Sequence, residues 1–385
     1  MHRQVPDTAS VVVVGGGVIG TSIAFHLAEA GVRDIVLLER GELGSGSTSR
    51  AAGGVRAMFS DELNIRLGQR SLDAFSKFST RPGQEIDLHR AGYLFLLSDP
   101  ADLALFEESV ELQNELGVRS RMVDTDEVSR LSPGVATSDL IAGAFSPDDG
   151  YCSPESVVAG YAAGARSLGV AIECDCEVIG IERTGSRIEA VATTHGTVRT
   201  NAVICAAGAW SSGIGAMAGV ALPVTPLRRQ VMVTEPVAVQ VDHLPMTLDF
   251  TSTLYFHREG PGMLVGMADP EETPGFNLMA TSEWLERLSD EVSRRAPWLL
   301  DLGVHTQWAG LYEVSPDNNA MIGESGEMER FLYATGFSGH GFLQGPAVGE
   351  VIRDLYLRQR PIIDVSPLSA DRFPAGVKRI ETHCI

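Results

Sequence analysis

Basic residues are few in this 385-residue chain: 30 Lys and Arg stand against 50 Asp and Glu, a formal net charge of −20 at pH 7. So anionic a chain repels phosphate backbones and acidic headgroups, which argues against nucleic acid or an anionic membrane as a partner. Long apolar runs are missing too. None approaches the roughly 20 residues needed to span a bilayer, and residues 1–10 are polar and lead straight into a strand-like run, leaving no room for a signal peptide. Cysteine is sparse and odd in number: Cys152, Cys174, Cys176, Cys205 and Cys384 are scattered, and Cys174-x-Cys176 lacks a second ligand pair. Disulfide and zinc frameworks are both poorly served, no metal is expected, and a reducing cytoplasm fits best. No Ser-His-Asp arrangement, internal repeat or low-complexity tract stands out. The remaining composition, 44% hydrophobic and 21% charged, is that of a globular chain long enough for two compact domains.

Glycine, at 41 residues, is plentiful, and its placement organises the chain. Val11-Val12-Val13-Val14 reads as a short buried strand, Gly15, Gly17 and Gly20 as a G-x-G-x-x-G turn, and Val18 to Ala30 as a helix closed by Gly31. Each glycine has its own task. Gly15 permits the tight turn, Gly17 lets a pyrophosphate reach the backbone beside Val18 and Ile19, and Gly20 lets helix and strand pack closely. Asp34 to Leu38 reads as a second buried strand, with Glu39 and Arg40 at its end. An acidic residue there receives ribose hydroxyls and repels a 2′-phosphate, so the pattern points to a dinucleotide other than NADP.

The tract from Gly41 to Arg56 is rich in Gly and Ser and would also suit a flexible linker. Directly after the ribose-binding strand, a loop closing over a long cofactor fits better, through Ser47, Thr48, Ser49, Arg50, Ala51, Ala52, Gly53 and Gly54. Helices are expected over 61–78, 100–116, from Ser153-Pro154 to about Leu168, and over 281–295. Strands are expected over 89–98, 170–174, 177–183 (with Val178), 187–193, 198–200, 230–234, 253–258 and 262–266. Ala202 to Trp210 reads as a buried strand ending in small residues, among them Ala206, Ala207 and Gly208, where a ligand or another backbone can approach. Arg330 to Thr335, then Gly336 to Phe342, then a helix over 345–358 repeat the strand, glycine turn, helix logic of the N-terminus. That helix can aim its N-terminal dipole at an electron-rich group.

Four glycine-centred segments, at about 11–40, 41–56, 201–210 and 335–350, exceed what NAD requires and together point to FAD. Here the sequence resembles the D-amino-acid oxidase-like flavoproteins, a family that includes glycine oxidase, sarcosine oxidase, proline dehydrogenase and dimethylglycine dehydrogenase. The resemblance covers nearly the whole chain and is most specific at Val11 to Arg40, at Trp308 to Asn318 and at Thr335 to Phe342; it is closest to the sarcosine oxidase β-subunit group. It implies an α/β (α+β) architecture with a Rossmann-type FAD domain at 1–88, 150–222 and 315–385. A mostly antiparallel substrate domain at 89–149 and 223–314 is inserted into it. The segments add Gly310, Gly339, His340, Gly341, Phe342, Leu343 and Trp210 to the FAD contacts.

Departures from the family pattern carry as much weight. The segment Gly310-Leu311-Tyr312 lacks the cysteine that holds FAD covalently in monomeric sarcosine oxidases, so FAD is expected to be noncovalent. Leu343 stands where those enzymes carry a carboxylate-binding lysine, and Tyr312 where glycine and D-amino acid oxidases carry an arginine. Pro154 lies near the position of the histidine that attaches FMN in heteromeric sarcosine oxidases. His340, Tyr312, Arg56 and Tyr255 are the candidates for chemistry, and alternation places Tyr255 and His257 on one strand face and Arg258 on the other. The expected activity is oxidation of a C–N bond in a small amine or amino acid, secondary or N-methylated, by hydride transfer to flavin N5. Two alternatives stand beside it: oxidation of a 2-hydroxy acid or related C–O substrate, and a flavin-bearing subunit that needs a partner chain. The strand Gly262 to Met267 has no basic residue where monomeric sarcosine oxidases place an oxygen-activating lysine. A quinone, dye or electron-transfer protein is therefore favoured over oxygen as electron acceptor.

Overall fold

In the computed structural model, which describes residues 5–237 and 243–383, the Val11–Val14 strand lies at the centre of a six-stranded sheet. The order is Met321–Glu324, Phe331–Thr335, Val203–Cys205, Val11–Val14, Ile35–Leu38, Ala171–Glu173, and every pair is parallel except the first. Strands covered on both faces need apolar side chains at every position, which explains the uninterrupted valines. Val11, Val13, Ile35 and Leu37 pack under the helices Val18–Glu29, Pro154–Ser167 and Gly341–Tyr356. Val12, Val14, Val36 and Leu38 pack on the opposite side, against a three-stranded meander of Val178–Thr184, Arg187–Thr193 and Gly196–Arg199. Each buried valine contributes roughly 1.5–3 kcal/mol relative to an exposed one.

An eight-stranded sheet forms the second layer, in the order Val304–Val314, Thr225–Thr234, Gly262–Met267, Tyr255–Glu259, Met246–Asp249, Tyr93–Leu97, Ala142–Ser146, Arg121–Val123. It is antiparallel except where Met246–Asp249 runs beside Tyr93–Leu97. One face is covered by the helix Ser282–Arg295, whose Trp284, Leu288 and Val292 recur at helical spacing against Phe256, Met263 and Val265. Arg295 at its end is fully buried and reaches Asp249 at 2.6 Å, so the charge is paired inside the layer.

Several sequence expectations shift. The buried strand expected to reach Trp210 stops at Cys205, because its partner Val11–Val14 stops too and the chain must turn beneath Gly15. A 3₁₀ turn, Gly208–Trp210, and a helix, Ser211–Ala218, take over, ended by Gly219 at φ +76°. The last helix begins at Gly341 rather than 345 and carries Pro346 inside it. Its glycines serve packing: Cβ atoms at Gly345 and Gly349 would run into Val18 and into Ser22 and His26 of the first helix. The strand expected over 89–98 is shorter, Tyr93–Leu97, and the one over 230–234 is longer, Thr225–Thr234. The strands Arg121–Val123, Ala142–Ser146 and Met246–Asp249 and the helix Thr125–Leu131 are additions to the sequence reading. Cys152, Cys174, Cys176 and Cys205 are unpaired; Cys384 and the first four residues lie outside the described residues. Among the described residues, no helix is long and apolar enough to cross a membrane, and no cluster of His, Cys, Asp and Glu is arranged to hold a metal ion.

Candidate active site

A cavity of about 410 Å³ runs between the two large sheets. Its floor is backbone. Gly15 adopts φ +112°, and a Cβ there would collide with the Ala206 carbonyl, so this turn admits only glycine. A Cβ at Gly20 would strike the Gly15 carbonyl, which fits close packing of helix on strand. Gly17 has an ordinary φ of −76° and precedes the helix without a side-chain cap. Only Thr48 Oγ1 comes near its missing Cβ, at 3.0 Å, and the same oxygen accepts from Val18 N at 3.1 Å. The Glu39 carboxylate accepts from Gly16 N at 2.7 Å and Gly41 N at 2.9 Å, bracing the turn at the end of the second strand. Arg40 stacks its guanidinium on Trp210 at 3.7 Å, and Phe276 lies on the same indole at 5.5 Å.

The second glycine turn faces the first across the cavity. Its helix, Gly341–Tyr356, also starts without a side-chain cap, at His340. Two helix N-termini whose N-cap residues supply no side-chain cap thus border one cavity, the first with Val18 N held by Thr48. Free N–H groups at such ends suit electron-rich groups. Glu313 holds this turn in shape by accepting from Thr335 Oγ1 at 2.8 Å and Gly336 N at 3.1 Å. Burial pushes its carboxyl up to about 7, against the opposing pull of those hydrogen bonds.

The roof is made of side chains, and β pairing explains which ones. Partners across a ladder share a face. The pairs Leu227/Tyr312, Arg229/Gly310, Val231/Gly266, Gly266/Tyr255, Tyr255/Leu248 and Met246/Tyr93 therefore put Tyr312, Arg229, Val231, Tyr255, Met246 and Tyr93 on one surface, and all six line the cavity. Arg229 stacks on Tyr312 at 4.9 Å. His257, on the same face as Tyr255, reaches the Ala52 carbonyl at 2.8 Å and ties roof to loop, while Arg258 on the other face turns to Gly260.

Arg56 and His340 meet where floor, roof and C-terminal tail converge. Arg56 is buried, donates to the carbonyls of Met58 and His383, and approaches His340 Nε2 at 3.2 Å. A guanidinium has no lone pair, so Nε2 accepts and the imidazole is neutral. Burial, reinforced by the Arg56 charge, holds the His340 pKa well below its usual value.

Of the residues singled out from the sequence, Gly15, Gly17, Val18, Ile19, Glu39, Arg40, Ser47, Thr48, Arg50, Ala51, Ala52, Gly53, Gly54, Arg56, Val178, Ala206, Ala207, Gly208, Trp210, Tyr255, Gly310, Tyr312, Gly339, His340, Gly341, Phe342 and Leu343 line the cavity. Gly20, Ser49 and Gly336 lie behind the wall. Ser49 packs by Gly44, and Gly336, at φ +71°, packs on Met321. Sequence reasoning misses Glu313, Arg229, Tyr93 and Met246. A period-two reading of the strand Thr225–Thr234 is the one signal that points to Arg229.

This fold, with a glycine floor beneath a side-chain roof, is that of a dinucleotide-dependent oxidoreductase. Residues 10–355 match the model of the FAD dependent oxidoreductase (DAO) family, and the chain belongs to that family. It is an FAD-dependent enzyme. It is 29% identical over 387 residues to mitochondrial dimethylglycine dehydrogenase of Mus musculus, covering 95% of this chain and 44% of that one. To 4-methylaminobutanoate oxidase (formaldehyde-forming) of Paenarthrobacter nicotinovorans it is 29% identical, covering 97% and 46%. The chain thus spans less than half the length of these curated relatives. Among solved structures, L-proline dehydrogenase from P. horikoshii superposes with a TM-score of 0.92 at 32% identity, covering 97% of this chain and 100% of that one. Glycine oxidase from Geobacillus kaustophilus gives 0.85 at 25%, covering 94% and 98%.

Proposed function

We propose that this enzyme oxidises the C–N bond of a small secondary or N-methylated amine or amino acid. The observation that carries this is the meeting of a glycine floor suited to FAD with a small roof of three phenols and a guanidinium. The similar proteins act, by their names, on dimethylglycine, 4-methylaminobutanoate, L-proline and glycine. In this reading the six-stranded unit (1–88, 150–222, 315–385) holds FAD and the eight-stranded unit (89–149, 223–314) holds substrate.

Bound FAD supplies the two-electron acceptor, noncovalently, since Gly310-Leu311-Tyr312 offers no cysteine to link it. The protein orients the amine and excludes water. Arg56 is fixed by carbonyls and His340 stays neutral, so the positive charge bordering the cavity disfavours an ammonium and favours the neutral amine that can release hydride. Tyr312 and Tyr255 close the roof. A cytoplasmic location is consistent with the unpaired cysteines.

The test is anaerobic titration with a panel of amines, N-methyl amino acids and 2-hydroxy acids, scored by bleaching of flavin absorbance. Bleaching by amines supports the reading; bleaching by hydroxy acids alone overturns it in favour of C–O oxidation. A copurifying chain and no bleaching without it would make this a flavin-bearing subunit. For the acceptor, the cavity face of the strand Gly262–Met267 presents Leu264 and Gly266, with Tyr255 packed on the latter. That apolar strand offers no charge to developing superoxide, which supports a quinone or electron-transfer protein over oxygen. Reoxidation in aerated buffer at the turnover rate, with stoichiometric peroxide, would identify an oxidase instead.

A further inference from the structure

Arg229 has no part in the nucleotide floor, yet it faces the cavity from the middle of the roof. Its described contacts are few: Nη1 donates to the Arg228 carbonyl at 3.1 Å, and the guanidinium plane lies over Tyr312. Its Nε is buried without a hydrogen-bond partner, and no carboxylate pairs with it among the described residues. The other guanidiniums along the cavity are differently engaged. Arg56 is directed to two carbonyls and His340, Arg50 to the carbonyls of Ala309 and Ser45, and Arg40 to the indole of Trp210.

We infer that Arg229 binds the carboxylate of the substrate, which makes the substrate class an amine carrying a carboxylate rather than a simple amine. This rests on the C–N oxidation proposed above. A half-buried guanidinium whose Nε–H is buried and open has the fork geometry that a carboxylate fills bidentately. The Tyr312 ring lies against the guanidinium, 4.9 Å from its carbon to the ring centroid, so Tyr312 is a positioning residue here. Gly310, opposite Arg229 in the ladder, has no side chain, and the place its Cβ would take is filled by Arg50. With Leu343 and Tyr312 apolar or neutral, Arg229 supplies the charge that a carboxylate needs in an otherwise uncharged roof.

The experiment uses the FAD-loaded enzyme and two probes. N-methylglycine is compared with N-methylglycinamide for flavin bleaching, and acetate is titrated as an inert carboxylate through the perturbation of flavin absorbance. In the wild type N-methylglycine should outcompete its amide, and acetate should bind. Arg229→Gln should weaken acetate and N-methylglycine binding by about 30- to 300-fold, as expected for loss of charge-assisted hydrogen bonds. It should leave the amide, FAD content and melting temperature nearly unchanged. Arg229→Lys should recover part of the loss, mainly in KM. If amines bleach the flavin but the amide matches N-methylglycine, or Arg229→Gln binds acetate as the wild type does, the assignment falls while the C–N reading stands. If no amine bleaches the flavin, the C–N reading falls, and acetate binding lost in Arg229→Gln still separates an anion site from none.

Discussion

Where the six-stranded sheet borders the cavity, contact is made by the backbone of Gly15, Gly17, Ala206, Gly208 and Gly341; where the eight-stranded sheet borders it, by the side chains of Tyr93, Arg229, Met246, Tyr255 and Tyr312. A pyrophosphate is recognised by N–H groups and helix ends, which every residue has, so selection there acts on what must be absent, a Cβ. A small substrate is recognised by groups that backbone lacks, so a roof that binds one, as proposed, must carry particular side chains. The floor is therefore repetitive, and the roof is where one enzyme can differ from another.

The sharpest way to break the floor is at its two kinds of glycine. Gly15→Ala forces a side chain into φ +112° and against the Ala206 carbonyl. Strain of this type costs about 1–3 kcal/mol before the collision is counted, so both melting temperature and FAD content should fall. Gly17→Val meets no such backbone barrier at φ −76° and crowds only Thr48 Oγ1, 3.0 Å from the new Cβ, so it should keep the fold while filling the space expected to take the pyrophosphate. A yellow, fully loaded Gly17→Val protein would show that this glycine is an ordinary turn residue. Equal melting temperatures for Gly15→Ala and wild type would remove the distinction between the two.

The same contrast governs what is legible in the sequence. The absence of a Cβ is written as glycine, so the strand, turn and helix from Val11 to Glu29, the Gly53-Gly54 pair and the turn after Thr335 can all be located from residue order alone. The roof is not legible in the same way. Arg229 and Arg228 are adjacent and chemically identical, and only the pairing of Thr225–Thr234 with Val304–Val314 turns one to the cavity and the other to Glu272. Glu313 escapes a sequence reading because its role is created by Thr335 and Gly336, twenty-odd residues further on and brought beside it by the fold. Gly341 reads as turn rather than helix because glycine signals a turn locally, and only the approach of the first helix to Gly345 and Gly349 reveals why a helix holds them.

Glu313 gives a second test, specific to the glycine turn near His340. Its ordinary pKa of 4.5 rises to about 7 in the fold, chiefly through burial. The folded state then holds a proton that the unfolded state has released, so this group destabilises the fold as pH rises from about 4.5 to 7. Glu313→Gln keeps an accepting oxygen for Thr335 and Gly336 without titrating. The melting temperature of the variant relative to wild type should climb across that window, by an amount corresponding to at most about 3 kcal/mol. A difference that stays flat with pH would mean that Glu313 is ionised throughout, held so by its hydrogen bonds.

The smallest effect is expected at Glu39, where floor and side-chain recognition overlap. Its carboxylate already accepts from Gly16 N and Gly41 N, so it braces the turn besides the ribose contact expected of it. Glu39→Gln retains one accepting oxygen but turns an amide N–H₂ towards the second donor, losing about one hydrogen bond, or roughly 1 kcal/mol. FAD affinity should fall only about fivefold, a change of that same size, and the apoprotein should melt slightly lower because the brace is weakened. Measured by quenching of flavin fluorescence, an unchanged affinity with a lowered melting point would make Glu39 purely a brace. A loss of a hundredfold or more would mean that the ribose contact dominates, and that even the backbone floor relies on one side chain for its selectivity.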